Sequence, residues 1–156
     1  MTAIEDLHAD TDRLAANIAE RHAAALQCRR GCFGCCVDGI TVFEVEARRI
    51  REGAKELLAT AEPHPAGRCA FLGSEGECRI YALRPYVCRT QGLPLRWIDD
   101  EAEAEYRDVC ELNEIAVETL AADDCWTLGP IEERLARLQG DGRRVALREL
   151  FPTRGA

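Results

Sequence analysis

Cys28-Arg-Arg-Gly-Cys32-Phe-Gly-Cys35-Cys36 crowds four thiols into one short loop, and the rest of the chain reads outward from it. The sequence holds nine cysteines in 156 residues, eight of them between Cys28 and Cys110. Thiolates are soft donors, so this density means either disulfides or metal. Met1 to Asp10 shows neither the basic n-region nor the apolar core of a secretory leader. Charged residues interrupt every hydrophobic stretch, so no membrane span is expected. The expected location is cytoplasmic, where thiols stay reduced and a disulfide framework does not persist. An odd cysteine count also pairs badly. Metal ions are therefore the expected partners of these sulfurs.

The 20 basic and 28 acidic residues leave a formal charge of −8, and Lys55 is the sole lysine. A net-acidic chain without a basic block does not read as a dedicated nucleic-acid binder. Nothing in the sequence names a protein partner. The length suits a single domain, 1–156, with an ordinary core. It divides into an N-terminal helix over 2–27, a cysteine-cluster core over 28–110 and C-terminal helices within 113–151. The fold class expected is α+β: a small, mainly helical domain with one or two short β-hairpins around a cysteine-rich metal centre.

The apolar residues Ile4, Leu7, Leu14, Ile18, Ala25 and Leu26, with small Thr11 between, form one helical stripe. His8 and His22 on this segment read as surface or rim residues, His22 being a reserve ligand. Val37 to Phe43 reads as extended. Thr41 and Glu44 have capping-box spacing and open a helix to about Thr60, with Val45, Ile50, Leu57 and Leu58 facing inward. His64, between two prolines, reads as exposed. Cys69 to Leu72 and Cys78 to Tyr81 flank a Gly-rich tip as a hairpin, and 82–89 follow as a tight turn. Leu93 to Ile98 and Glu103 to Val109 form a second hairpin. Helical patterning resumes over 113–121, and Pro130 at N1 starts a helix to Gln139. Gly140-Asp-Gly142 ends it, and a short helix runs to Phe151.

Ligation needs several deprotonated donors on one point, and short spacings achieve this with small loop closures. Cys32-Phe-Gly-Cys35 is a CxxC pair, and Cys28 extends it. Adjacent side chains diverge, so one of Cys35 and Cys36 is expected to serve a second ion or to bridge. Cys69, Cys78 and Cys88 come from hairpin and turn positions able to fold back over the loop, and Cys110 completes an octet. Eight thiolates suit two four-thiolate zinc sites, or one or two iron–sulfur clusters. Arg29, Arg30, Arg79, Arg84 and Arg89 adjoin these sulfurs and could offset their charge. The CxxxCxxC spacing alone also belongs to radical S-adenosylmethionine clusters, but the chain lacks the repeated βα pattern of their barrels. No histidine lies in a signature for cysteine-nucleophile catalysis.

Taken together, Cys28-x-x-x-Cys-x-x-Cys-Cys36, Cys69-Ala-Phe-Leu, Cys78-Arg-Ile-Tyr81, Arg84-Pro85 and Cys88-Arg89 resemble the CxxCxxCC cysteine-cluster family. It is also called the YkgJ-like, or zinc- or iron-chelating, domain. The resemblance covers roughly Cys28 to Cys110. The first spacing here has three residues where the family name has two, and Cys125 matches nothing and reads as a buried free thiol. The resemblance implies zinc or iron bound through clustered cysteines. A related cluster occurs in flagellin lysine N-methylases, which implies redox or S-adenosylmethionine chemistry for some relatives.

The leading expectation is a cytosolic metalloprotein binding an iron–sulfur cluster or zinc through Cys28, Cys32, Cys35, Cys36, Cys69, Cys78, Cys88 and Cys110. Iron–sulfur is preferred, because the domain looks large enough to fold without staples and CxxxCxxCC is not the usual zinc-knuckle pair. An iron-dependent redox or methyl-transfer enzyme stays open, with a cavity lined by Arg84, Tyr86, Arg89 or Trp97. So does a metal-handling or sensing protein with exchangeable ions, or an interaction module shaped by metal.

Overall fold

The computed structural model describes residues 2–153. Helix α1, Ala3–Arg21, opens on a capping box. The Glu5 N–H donates to the Thr2 hydroxyl at 3.4 Å, and the Glu5 carboxylate accepts the Thr2 N–H at 2.8 Å. Its buried stripe is Ile4, Leu7, His8, Thr11, Ala15 and Ile18. Leu14, expected inside, is 38 % exposed. The helix also ends well before residue 27. Arg21 and His22 reach the carbonyls of Asp123 and Asp124, and residues 22–26 continue as tight turns.

Strand β1, Thr41–Phe43, leads directly into α2, Glu44–Gly53. The box expected from Thr41 and Glu44 is displaced: Thr41 lies in the strand, and the Phe43 N–H donates to the Glu46 carboxylate at 3.3 Å. The helix expected to run to Thr60 breaks at Ala54, and α3 covers Lys55–Thr60. Leu83 packs against Gly53 so closely that a Cβ there would lie 2.8 Å from its methyl carbons. Of the inward face expected, Ile50 and Leu58 are buried, whereas Val45 and Leu57 pack at the edges of the two cores.

The segments at 69–72 and 78–81 fold back on each other through one antiparallel bridge, Leu72↔Cys78. The Gly73 and Arg79 N–H groups donate to Glu77 and Phe71 carbonyls at 2.8 and 3.0 Å. The expected hairpin ladder goes no further, because Ile80 is buried and Tyr81–Leu83 turns as a 3₁₀ helix. One helical turn, α4, Tyr86–Arg89, follows Pro85. The second hairpin forms as expected, β2 (Leu95–Asp99) against β3 (Ala104–Asp108), paired Leu95↔Asp108 to Asp99↔Ala104.

The helix expected over 113–121 is absent: 3₁₀ turns at Val117–Thr119 and Ala122–Asp124 occupy this region. The reason is tertiary, because the Asn113 side chain is spent on backbone groups of two other segments and the Leu120 carbonyl accepts Arg107. Strand β4, Trp126–Thr127, then pairs in parallel with β2. Helix α5, Pro130–Gln139, begins at proline and ends at Gly140, whose φ of 88° is the left-handed cap. The last short helix expected before Phe151 forms as a 3₁₀ helix, Leu147–Leu150, and is preceded by a strand, β5 (Arg144–Ala146). β5 returns antiparallel to β1, with Val42 opposite Val145.

The architecture is α+β, with two small sheets among the described residues. One apolar cluster joins β1, β5, α2 and α3 to Ala70, Phe71, Leu72 and Ile80. A second joins α1, α5, Tyr86, Leu93 and Trp126. Burying each large apolar side chain contributes about 1.5–3 kcal/mol. Cys69 belongs to the first cluster, and Cys36 and Cys78 pack against it.

Candidate metal centre

Residues 25–36 leave α1 and are pinned by Asn113. Its side-chain oxygen accepts the Gln27 N–H at 2.9 Å, and its amide nitrogen donates to the Gly92 carbonyl at 2.8 Å. The Asn113 N–H donates to the Cys110 carbonyl at 2.9 Å. One buried asparagine thus ties Gln27, next to Cys28, to Gly92 and Cys110. Gly92 has φ of 88°, and a Cβ on it would lie 2.0 Å from the Cys28 sulfur, so only glycine leaves room. Within the loop, Cys32 and Cys36 N–H groups donate to Arg29 and Phe33 carbonyls at 2.9 Å. Gly31, at φ 87°, allows the turn.

A separate backbone system gathers the later cysteines. The Cys69 N–H donates to the Cys36 carbonyl at 2.9 Å, beside the bridge Val37↔Arg68. The Leu72 N–H donates to the Cys69 carbonyl at 3.0 Å, and Leu72 bridges to Cys78. Cys69 is part of the first apolar cluster, and Cys36 and Cys78 pack against it. Cys88 lies on α4, whose first N–H, from Tyr86, donates to Glu46 at 2.7 Å.

Burial raises the Cys28, Cys69 and Cys78 thiols above their ordinary range. Cys88 is pushed up to about 12, by burial first and then by Cys69 and Cys78. A hydrogen bond between the Cys35 and Cys36 thiols holds Cys35 down and Cys36 up, and Arg84 adds to the lowering of Cys35. Any ligation by these sulfurs would have to displace their protons, and would be favoured by rising pH. Arg84 also acts on Cys78 and Cys88. It is held by stacking over the Tyr81 ring, 3.8 Å from the centroid, and by donating to the Tyr81 and Cys88 carbonyls.

All nine thiols are free. Among the described residues, no three His, Cys, Asp or Glu side chains converge closely enough to hold an ion as they stand. The sulfurs of the eight candidate cysteines are thus not drawn to ligand distance of a common point. Cys125 stands apart: it is buried beside Trp126 and donates to the Ala121 carbonyl at 3.5 Å.

The three histidines go elsewhere, His22, the reserve ligand, among them. His22 lies 2.9 Å from the Asp124 carbonyl, and His64 is half-buried, not exposed. His8, expected at the rim, is 2 % exposed, with Nε2 at 2.9 Å from Glu46 and Nδ1 at 3.0 Å from Arg49. The signal available in the sequence is its spacing, four residues after Ile4 and three before Thr11, on the buried stripe. The side chains expected to line a cavity are spent on packing. The Tyr86 hydroxyl donates to Glu132, Arg89 pairs with Asp12 at 2.5 Å, and Trp97 stacks on Tyr106 at 5.5 Å. Two clefts open elsewhere, one beside Asp38, Arg148 and Phe151, the other beside Gly53, Arg79 and Leu83, and no cysteine lines either.

An α+β fold with eight unpaired thiols between Cys28 and Cys110, three of them in the field of Arg84, carries the donor type of zinc and iron–sulfur centres. Residues 27–111, more than half of the chain, match the CxxCxxCC family, described as "Putative zinc- or iron-chelating domain", and the chain belongs to that family. Comparison with curated proteins and with solved structures returned no match. Among the described residues, no helix is long and apolar enough to cross a membrane.

Proposed function

We propose that this chain is a cytoplasmic metal-binding protein in which Cys28, Cys32, Cys35, Cys36, Cys69, Cys78, Cys88 and Cys110 hold an iron–sulfur centre or zinc. The observation that carries the reading is the separation of the thiols. Four share the loop from Cys28 to Cys36, Asn113 links that loop to Cys110, the Cys36–Cys69 hydrogen bond and the Leu72–Cys78 bridge add two more, and Cys88 lies on α4, while Cys125 lies beside Trp126. Soft thiolates select zinc and iron–sulfur over hard cations. The fold has two apolar clusters, the first of which includes Cys69. A fold with that much core has less need of a structural staple, which supports iron–sulfur over purely structural zinc.

Anaerobic purification with metal and acid-labile sulfide analysis tests the reading. A brown sample with labile sulfide and visible charge-transfer bands selects iron–sulfur. A colourless sample with about two zinc ions per chain selects paired four-thiolate sites. A freshly isolated chain containing neither zinc nor iron, and taking up neither, overturns it.

A further inference from the structure

Resting on the metal-binding reading above, we infer that the site reaches beyond the family-matched residues 27–111: Arg148 is a positioning residue that holds Cys36 opposite Cys69. It acts through the backbone, because its hydrogen bonds fall on residues flanking the two cysteines.

The bridge Val37↔Arg68 is antiparallel, so the adjoining residues Cys36 and Cys69 stand opposite one another, and the Cys69 N–H donates to the Cys36 carbonyl at 2.9 Å. Opposed residues of an antiparallel pair share a face, so both side chains leave on the same side. This pairing is too short to hold itself. Residues 62–67, which lead into it, form neither helix nor strand, and Pro63 and Pro65 have no N–H to give to a ladder. Arg148 supplies donors from outside. Its Nε lies 2.9 and 3.2 Å from the two Asp38 carboxylate oxygens. Its Nη1 donates to the His64 carbonyl at 2.8 Å, and its Nη2 to the Arg68 and Pro65 carbonyls at 2.8 and 3.4 Å. Asp38 in turn accepts the Gly67 N–H at 3.0 Å. All three guanidinium nitrogens are thus spent just after Cys36 and just before Cys69.

The arginine is itself held from the core. Its neighbours Leu147 and Leu150 are buried in the first apolar cluster, which also contains Cys69. The Leu147 N–H donates to the Ile40 carbonyl at 2.9 Å, and β5, immediately before, pairs with β1. Arg148 therefore passes the position of the β1–β5 sheet to the loop that precedes Cys69. The planar fork matters more than the charge. A lysine at 148 would neutralise Asp38, but its single ammonium cannot serve that carboxylate and three carbonyls at once.

The test compares the full chain with Arg148→Lys and with the milder Asp38→Asn, which keeps one acceptor oxygen. Metal-free protein is pulse-alkylated with N-ethylmaleimide and each cysteine is mapped by mass spectrometry. Zn(II) affinity is measured by competition with a chromophoric chelator. Cys69 and Cys125 are both buried in the wild type, so Cys125 serves as the internal standard for global opening. In Arg148→Lys, Cys69 should be labelled on the order of tenfold faster, the effect of removing about one charged hydrogen bond from local opening, with Cys125 unchanged. Zn(II) affinity should fall with it, and Asp38→Asn should show the same pattern at smaller size. Equal acceleration at Cys69 and Cys125 in both variants is global loosening and overturns the positioning role. Unchanged Cys69 labelling overturns it too, as does faster labelling with unchanged Zn(II) affinity. A wild-type chain that takes up neither zinc nor iron overturns the metal-binding reading instead, and Cys69 labelling then still decides whether Arg148 holds the pair.

Discussion

The Glu46 carboxylate accepts the Tyr86 N–H at 2.7 Å, so a side chain of α2 fixes the first residue of the turn that carries Cys88. The same group lies 2.9 Å from His8 Nε2 and accepts the Phe43 N–H at 3.3 Å. Arg49, which carries only donors, lies 3.0 Å from His8 Nδ1. Glu46→Ala strands these buried donors and should cost about 2–5 kcal/mol in urea unfolding. Glu46→Gln keeps one acceptor oxygen and should cost less. An alanine variant as stable as the wild type would show the network to be idle.

Asp38 predicts a pH effect. Its carboxylate accepts Arg148 Nε at 2.9 and 3.2 Å and the Gly67 and Gly39 N–H groups at 3.0 Å. The Arg148 hydrogen bond leads in holding its pKa down to about 2, from an ordinary 3.8. A depressed carboxyl contributes stability that is complete above the unfolded value and is lost as pH falls through the folded one. Unfolding followed between pH 5 and 2 should therefore show stability falling from about pH 4 downward. In Asp38→Asn that part of the slope should vanish, with lower stability at neutral pH. An unchanged acid profile removes Asp38 from the account.

How far the sequence could be read depended on range. The β2–β3 hairpin was legible because its strands flank a local acidic tip, and α5 because Pro130 and Gly140 punctuate it. β1 and β5 were not, since each has three residues and their pairing spans Thr41 to Ala146. The stretch after Asn113 carries helical spacing, yet its groups are claimed by Gln27, Gly92 and Arg107. The candidate ligands were legible as a chemical class, because nothing but soft-metal or disulfide chemistry explains CxxxCxxCC. Asn113 and Gly92, which position Cys28, left no local trace: an asparagine and a glycine in a loop look like ordinary turn residues.

The contrast between thiols can be tested directly. Cys35→Ser and Cys88→Ser each replace a candidate ligand and should lower the metal content of the purified chain. Cys125→Ser keeps a donor for the Ala121 carbonyl in a site whose charged neighbours are Arg107, Asp124 and Arg96. It should leave metal content unchanged and alter stability by no more than about 1 kcal/mol, the scale of one hydrogen bond. Metal analysis of the three variants decides the matter, and equal loss in all of them counts against the ligand set.

Arg84 offers the last prediction, because its charge is fixed by contacts that do not involve metal. It stacks on Tyr81 and donates to the Tyr81 and Cys88 carbonyls at 3.2 and 3.4 Å, with Cys35, Cys78 and Cys88 in its field. Four thiolates around a divalent ion leave net negative charge, and a nearby fixed cation favours the deprotonated sulfurs. Arg84→Gln retains hydrogen bonding but removes the charge. It should weaken zinc affinity by about tenfold, roughly 1.4 kcal/mol and the equivalent of one pKa unit, and the deficit should shrink as pH rises. Competition with a chromophoric chelator at pH 6.5 and 8.5 measures both effects. A Gln variant that matches the wild type at the lower pH would mean that Arg84 only braces Tyr81 and α4.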